Sequence, residues 1–293
     1  SPCANVEEKG NIYGLDAEER FDFLPEDFSD DETSENLLFL GCSVYTHPEI
    51  ALAAIKLLKA GGVSFRIFKD ESCCGAAVWR GGYADKAEKI IKANVEKLRE
   101  RGIKRIITPC AECFGAFRAI YPRFADMDVE VFHISQILAS LAEEGKLRFA
   151  PLAKPVKITY HDPCMLGRLS EPWQAWEGEI KPFGLHVPEK KWRRGFDGVY
   201  HEPRAVLKAV PGVELSEMPR NYENALCCGY ASRETDPEMS ADTAAERMRE
   251  AASVGAEELV SCCPFCIDAL GKEGKVRDLC VLLAAQLEEG GAI

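Results

Sequence analysis

Ile103-Lys-Arg-Ile-Ile-Thr-Pro-Cys110-Ala-Glu-Cys113 and Glu258-Leu-Val-Ser-Cys-Cys263-Pro-Phe-Cys266 are two passages built to one plan. Each is a short β-rich run ending in Cys-x-x-Cys, with a helical pattern after it. A strand that delivers two cysteines to a helix start is a unit of an open α/β sheet, whose ligands gather at the strand carboxyl ends. The helix start favours thiolate over thiol, through the macrodipole and free backbone N–H groups.

Working outward, Leu37–Gly41 reads as a strand running into Cys42. Pro48 opens a helix to Lys59, with Ile50, Ala54, Leu57 and Leu58 at helical spacing. Val63–Phe68 reads as the next strand, ending near Cys73-Cys74-Gly75, and a long helix is expected from about Tyr83 to Arg101. The second half repeats the order: strand Val156–Tyr160 into Cys164, helix Pro203–Val210, strand Val213–Met218, Cys227-Cys228-Gly229, and a helix from about Pro237 to Val254. Alternating strands and helices imply parallel strands with helical crossovers, and the repetition implies an internal duplication. The expected fold is therefore α/β, two duplicated Rossmann-like halves with parallel sheets. Residues 1–36 are expected to be an acidic extended arm, 37–150 the first cysteine-rich domain and 151–293 the second. Between copies the offset is 122 at the lone cysteine, 154 at the pair and 153 at the Cys-x-x-Cys, which places a 32-residue insertion at about 170–200. Gly75 and Gly229 let the backbone turn so that adjacent thiols face one site.

A chain of 293 residues suggests about two domains. No run approaches the roughly 18 apolar residues of a membrane span, and a net charge of −12 argues against nucleic acid and anionic membranes as partners. Residues 1–36 hold 12 acids against Lys9 and Arg20, so the arm carries −10 and the remainder −2. Such a segment reads as a solvated linker or as a docking segment for a partner subunit. With neither a basic n-region nor an apolar h-region at the start, the expected location is cytoplasmic. Three adjacent cysteine pairs and an odd total of 13 fit a disulfide framework badly. Metal binding or redox catalysis suits a reducing compartment better.

Five cysteines recur in each half. Zinc takes four ligands and leaves one over in each half, and an ordinary cubane leaves the same remainder. Thioredoxin-like exchange uses only the Cys-x-x-Cys. Ten cysteines as two sets of five favour an iron–sulfur centre that uses five, with zinc and dithiol exchange as the competing readings.

Cys42-x30-Cys73-Cys74-x35-Cys110-x2-Cys113, followed by Cys164-x62-Cys227-Cys228-x34-Cys263-x2-Cys266, resembles the tandem CCG domains of heterodisulfide reductase catalytic subunits, the B and D types. The resemblance spans about residues 37–290 and implies that each set binds a noncubane 4Fe-4S cluster. It implies that the two clusters face one another across a disulfide such as coenzyme M linked to coenzyme B. Glycolate and lactate oxidase subunits and subunits of acyl-CoA-reducing complexes look similar, so the resemblance leaves the substrate open. No ferredoxin-type cysteine run and no GxGxxG is present. Electrons are therefore expected from partners, a ferredoxin-type iron–sulfur subunit and a flavin-containing subunit. The second spacing exceeds the family's usual range because of the insertion. Cys3, Cys262 and Cys280 fit no pattern and are read as non-ligands, with Cys280 at the position of Ile134.

The insertion carries Trp173, Trp176 and Trp192, with Phe183, Phe196 and the basic run Lys190, Lys191, Arg193 and Arg194. It reads either as a lid whose cations, with Arg168, hold an anionic substrate, or as a loop packed on the scaffold or a subunit. His161, three residues before Cys164, invites a proton-donor role or a structural one, since disulfide reduction consumes protons. Two functions result: a catalytic subunit for thiol, disulfide or persulfide redox chemistry, or an electron-transfer subunit of a larger oxidoreductase in which substrate turns over elsewhere.

Overall fold

Leu37, Leu38, Ile106 and Ile107 are all buried, as strands covered on both faces of a parallel sheet require. The structure, a computed structural model, describes residues 1–288; the last five residues of the second expected domain lie outside the described residues. The first sheet is parallel, in the order β1 (Asn36–Leu38), β2 (Arg105–Thr108), β3 (Glu130–His133), with Leu37 beside Ile106 and Ile106 beside Val131. In the second half β4 (Val156–Tyr160) is followed by an antiparallel hairpin, β5 (Glu179–Lys181) and β6 (Leu185–Val187). Then come β7 (Val213–Leu215), β8 (Glu258–Ser261) and β9 (Val276–Asp278), forming with β4 a parallel sheet of order β7-β4-β8-β9.

The helices follow from their sequence. After α1 (Pro2–Lys9), α2 (Pro48–Ala60) starts on its proline and buries Ile50, Ala54, Leu57 and Leu58. The short α3 (Ala76–Arg80) leads to α4 (Ala84–Glu100), which turns Ala87, Ile91, Val95 and Leu98 inward. The remainder are α5 (Ala111–Gly115), α6 (Ile134–Glu143), α7 (His201–Lys208), α8 (Pro237–Ser253), α9 (Pro264–Leu270) and α10 (Leu279–Gln286). Helices from opposite halves join the molecule: α2 packs on α10, and α6 on α7. Ala150 N–H donates to Gln286 O at 2.7 Å, so the connection between halves is tied to the end of α10. Among the described residues no helix is long and apolar enough to cross a membrane.

Three expectations are corrected, and two strands are added. Val63–Phe68 is not a strand: Arg66 alone bridges β1, and the opposite edge is taken by residues 30 and 31, where Ile67 N–H donates to the Asp30 carboxylate at 2.6 Å and Phe65 O accepts from Asp31 N–H at 3.0 Å. Residues 1–36 are not extended. Pro2 starts α1, Gly10 ends it in the left-handed region, and Cys3, Val6 and Ile12 are buried in the common core. Arg20 is 2% exposed and forms a buried ion pair with Glu71, so the arm's acids face water while its apolar side folds inward. The edge strands β3 and β9 escaped the sequence reading because they are short and only partly buried. Finally, His133 caps α6 by accepting from Ser135 N–H, and Asp278 caps α10 by accepting from Cys280 N–H; Cys280 thus corresponds to Ser135, one residue beyond Ile134.

Candidate metal centre

The loops bearing the thiols leave the two sheets in one register. Phe39 N–H donates to Ile107 O at 2.8 Å, and His161 N–H to Val260 O at 2.9 Å, each three residues before a lone cysteine. In the first loop the Glu71 carboxylate accepts from Leu40 N–H and Gly41 N–H, both at 2.9 Å. Gly41 has φ +76° and ψ −175°, and a Cβ there would lie 2.8 Å from Cys113 Sγ, so the loop closes on the sulfur only without a side chain. Gly75 and Gly229 share the left-handed conformation, at φ +82° and +87°. Each turns its N–H onto the first sulfur of its pair, Cys73 or Cys227, at 3.3 Å.

These turns bring the thiols into two chains of sulfur contacts with the same order. In the first, Cys42 meets Cys73, then Cys74, Cys113 and Cys110. In the second, Cys164 meets Cys227, then Cys228, Cys266 and Cys263. All ten are unpaired by disulfides and buried, apart from half-buried Cys164 and Cys227. Thiol donors on both sides pull one member of each pair down: Cys113 and Cys73 bring Cys74 to about 6, and Cys164 and Cys228 lower Cys227. Their neighbours move the other way; Cys42 is pushed up by donating to Cys73 and by burial. The two sets are also close. Cys110 is pulled down by Cys113, but burial and the charge of Cys263 from the other half push it up overall.

Ten soft donors in two matched chains, one thiolate already favoured in each, fit thiolate-ligated metal. Cys262 stands outside these chains, with its sulfur 2.8 Å from Tyr160 Oη. Cys280 sits buried beside Asp278, and Cys3 in α1.

Between the motif loops lies a cavity of about 340 Å³ whose wall includes Arg80, Glu112, Tyr230, Arg233 and Phe265. Arg80 comes seven residues after Cys73, and Arg233 six after Cys227, so each half contributes an arginine from the turn behind its pair. Arg80 Nη2 lies 2.5 Å from Glu112 Oε1, without the alignment of a hydrogen bond. Burial pushes the Glu112 carboxyl up, against the opposing pull of Arg80 and Arg233. Arg233 stacks on Tyr230 with its guanidinium carbon 3.7 Å from the ring centroid. Burial disfavours the Arg80 cation, yet Glu112 and then Cys164, Cys263 and Cys74 hold it charged, so it senses thiols of both sets.

Of the other candidates, His161 reaches a cysteine set: a ring nitrogen and the sulfurs of Cys228 and Cys266 lie within 4.8 Å of one another. Burial and the Arg247 charge push its pKa well below the ordinary value. The basic residues of the insertion are placed differently. Arg168 donates to Glu223 O at 3.0 Å and Arg193 to Leu169 O at 3.0 Å, each stitching loops together. Lys191 and Arg194 are exposed, and Lys190 lies over the Trp192 and Trp176 rings. Trp176, His186 and Trp192 stack beside the β5–β6 hairpin, while Ile180, Phe183 and Leu185 remain exposed. Arg80, Glu112 and Arg233 escaped the sequence reading, although the matching places of the two arginines behind the cysteine pairs were a usable signal.

Fold and site together define an α/β protein that carries two cysteine-rich units and presents five clustered thiols from each. A profile of the CCG cysteine-rich domain matches residues 37–118 and 186–271, and the chain belongs to that family. It is 32% identical to the D subunit of the dihydromethanophenazine:CoB–CoM heterodisulfide reductase of Methanosarcina barkeri, over 94% of this chain and 65% of the relative. The EtfAB:quinone oxidoreductase of Syntrophomonas wolfei is 30% identical over 85% of this chain and 32% of its own length. The B subunit of the fumarate reductase (CoM/CoB) of Methanothermobacter marburgensis is 29% identical over 80% and 42%. The chain thus spans 65% of the heterodisulfide reductase relative and less of the other two.

Proposed function

We propose that the chain is the catalytic subunit of a heterodisulfide-reductase-like complex, performing two-electron thiol/disulfide or persulfide redox chemistry at two noncubane 4Fe-4S clusters. Cys42, Cys73, Cys74, Cys110 and Cys113 would hold one, and Cys164, Cys227, Cys228, Cys263 and Cys266 the other, at the carboxyl ends of two duplicated, Rossmann-like sheets. The observation that carries this reading is the pair of matched five-thiol chains, with a cavity beside the motif loops lined by an arginine from each half. When bound, the clusters supply thiophilic iron and a store for electrons.

The chain's own residues do the rest. Arg80 and Arg233 place guanidinium donors on the cavity wall where an anionic disulfide would enter, each beside a carboxylate, Glu112 and Glu234. Tyr230 and Phe265 stack with ring centroids 4.7 Å apart and give the wall an apolar face. Cys3 and Ile12 of the folded arm line one side. Reduction converts R–S–S–R′, two electrons and two protons into RSH and R′SH. Glu112, whose proton is held more tightly by burial, is placed to deliver one. His161 and the cations Arg168, Lys191, Arg193 and Arg194 were the sequence-based candidates. The positions of Arg80, Glu112 and Arg233 support moving the anion-binding and proton-delivering roles to the cavity. Electrons would come from a ferredoxin-type iron–sulfur module and a flavin-containing partner, in the cytoplasm.

Anaerobically purified protein tests this reading. We expect iron and acid-labile sulfide in both sets, and a new paramagnetic signal when a thiol is added to oxidised protein. Silence across many anionic thiols would favour the relay role suggested by similarity to the quinone oxidoreductase, and stoichiometric zinc without sulfide would end the iron–sulfur reading.

A further inference from the structure

The two thiol sets are matched, but the residues behind them are not. Three residues before the lone cysteine the first half has Phe39 and the second His161. Helices α4 and α8 correspond residue for residue at an offset of 153, which pairs Asn94 with Arg247. Thus one copy carries Phe39 and Asn94 where the other carries His161 and Arg247. Asn94 turns away, donating to Cys73 O at 3.0 Å and Tyr121 Oη at 2.9 Å.

Arg247 is fully buried and held on Glu250 Oε2 and Arg220 O, both at 2.6 Å. Its Nε–H donates to His161 Nδ1 at 3.0 Å. A guanidinium can only donate, so Nδ1 is the acceptor and the ring proton of neutral His161 sits on Nε2. Nε2 is buried with no partner, in a histidine 1% exposed beside the sulfurs of Cys228 and Cys266. A buried N–H without an acceptor is costly, and the nearby sulfurs are acceptors of the kind it lacks.

We propose that Arg247 fixes His161 so that Nε2–H donates a hydrogen bond to sulfur of the second centre, making that centre easier to reduce than the first, where Phe39 offers no donor. This rests on the iron–sulfur reading above. A donor toward a cluster sulfur stabilises the added negative charge of the reduced state. His161 is therefore a positioning and tuning residue rather than a ligand, because Nε2, the nitrogen that Arg247 leaves unpartnered, carries the proton. The second centre then receives electrons first, and the first centre is the stronger reductant.

The test is a spectroscopically monitored redox titration of anaerobic protein that resolves the two centres, alongside iron analysis. His161→Phe copies the first half, and His161→Asn keeps a polar N–H where phenylalanine cannot be buried. The expected result is unchanged iron, one midpoint lowered by about a tenfold change in reduction equilibrium, about 59 mV for one electron, and the other unmoved. Arg247→Gln should shift the same midpoint. Full iron with both midpoints unmoved would overturn the inference alone, as would loss of one centre's iron in both His161 variants, which would make His161 a ligand. Wild-type protein without iron would overturn the iron–sulfur reading and this inference with it.

Discussion

Replacing Gly41 by alanine tests how the first site is shaped. At φ +76° and ψ −175° the backbone occupies a region essentially confined to glycine, so any side chain costs about 1–3 kcal/mol there. The added Cβ would also stand 2.8 Å from Cys113 Sγ, where ordinary contact begins near 3.4 Å, so the sulfur must move by roughly 0.6 Å. Metal–thiolate bonds are about 2.3 Å long and tolerate deviations of about 0.2 Å. A displacement three times larger should expel Cys113 from its ligand set. Gly41→Ala should therefore lose about half of the chain's iron and sulfide, with the second set still loaded. Gly62→Ala is the control, since Gly62 also has a positive φ, +70°, but its Cβ would meet nothing within 4 Å. It should retain all iron and melt about 2–4 °C lower, as a backbone cost of about 1–2 kcal/mol implies. If Gly41→Ala kept full iron and melted like the control, the argument that Cys113 needs a side-chain-free neighbour would be wrong.

Single Cys→Ser variants should divide sharply by metal analysis: Cys3, Cys262 and Cys280 replaced with iron retained, and each of the other ten replaced with loss from one set. His47 offers a pH test, because its hydrogen bond to Asp268 raises its pKa to about 9 from 6.5 in the unfolded chain, burial opposing and Glu49 assisting. That stabilisation is complete below about 6.5 and is lost as pH rises through about 9; exposed partner carboxylates limit it to about 2 kcal/mol. The melting temperature should fall more for wild type than for His47→Asn between pH 6 and 9.5, and parallel curves would refute the assignment. Arg80→Ala should raise KM for an anionic disulfide about tenfold or more, with partial rescue by Arg80→Lys; an unchanged KM would move substrate binding out of the cavity.

The sequence was most legible where chemistry and periodicity coincide. Strands β4 and β8 fell where their runs predicted, and α2, α4 and α8 differed by about a residue at their ends. The cysteine motifs were legible because the same short spacings recur in both halves, and the structure gathers their thiols into two matched chains of contacts. What failed depended on long-range partners. Val63–Phe68 has strand composition, but only Arg66 bridges β1, and its outer edge is tied to Asp30, 37 residues upstream of Ile67, rather than to a further strand. Twelve acids concealed the inward face of residues 1–36, since composition does not reveal that Arg20 will be buried against Glu71. A basic insertion suggested an anion site, whereas the cations that line the cavity, Arg80 and Arg233, lie singly in mixed surroundings just behind the cysteine pairs.

The crossed helix pairs have a consequence for ancestry. Helix α2 follows the lone cysteine of the first copy and packs on α10, the last described helix of the second; α7 follows the second copy's lone cysteine and packs on α6, the matching helix of the first. The same two faces meet twice with their roles exchanged, which is the arrangement of a twofold dimer. A protein with a single copy would leave both faces uncovered, and each is complementary to the other, so it should self-associate through them. In such a dimer every substitution appears at both sites. Joining the copies in one chain removes that constraint, and only then can Phe39 and His161, or Asn94 and Arg247, differ.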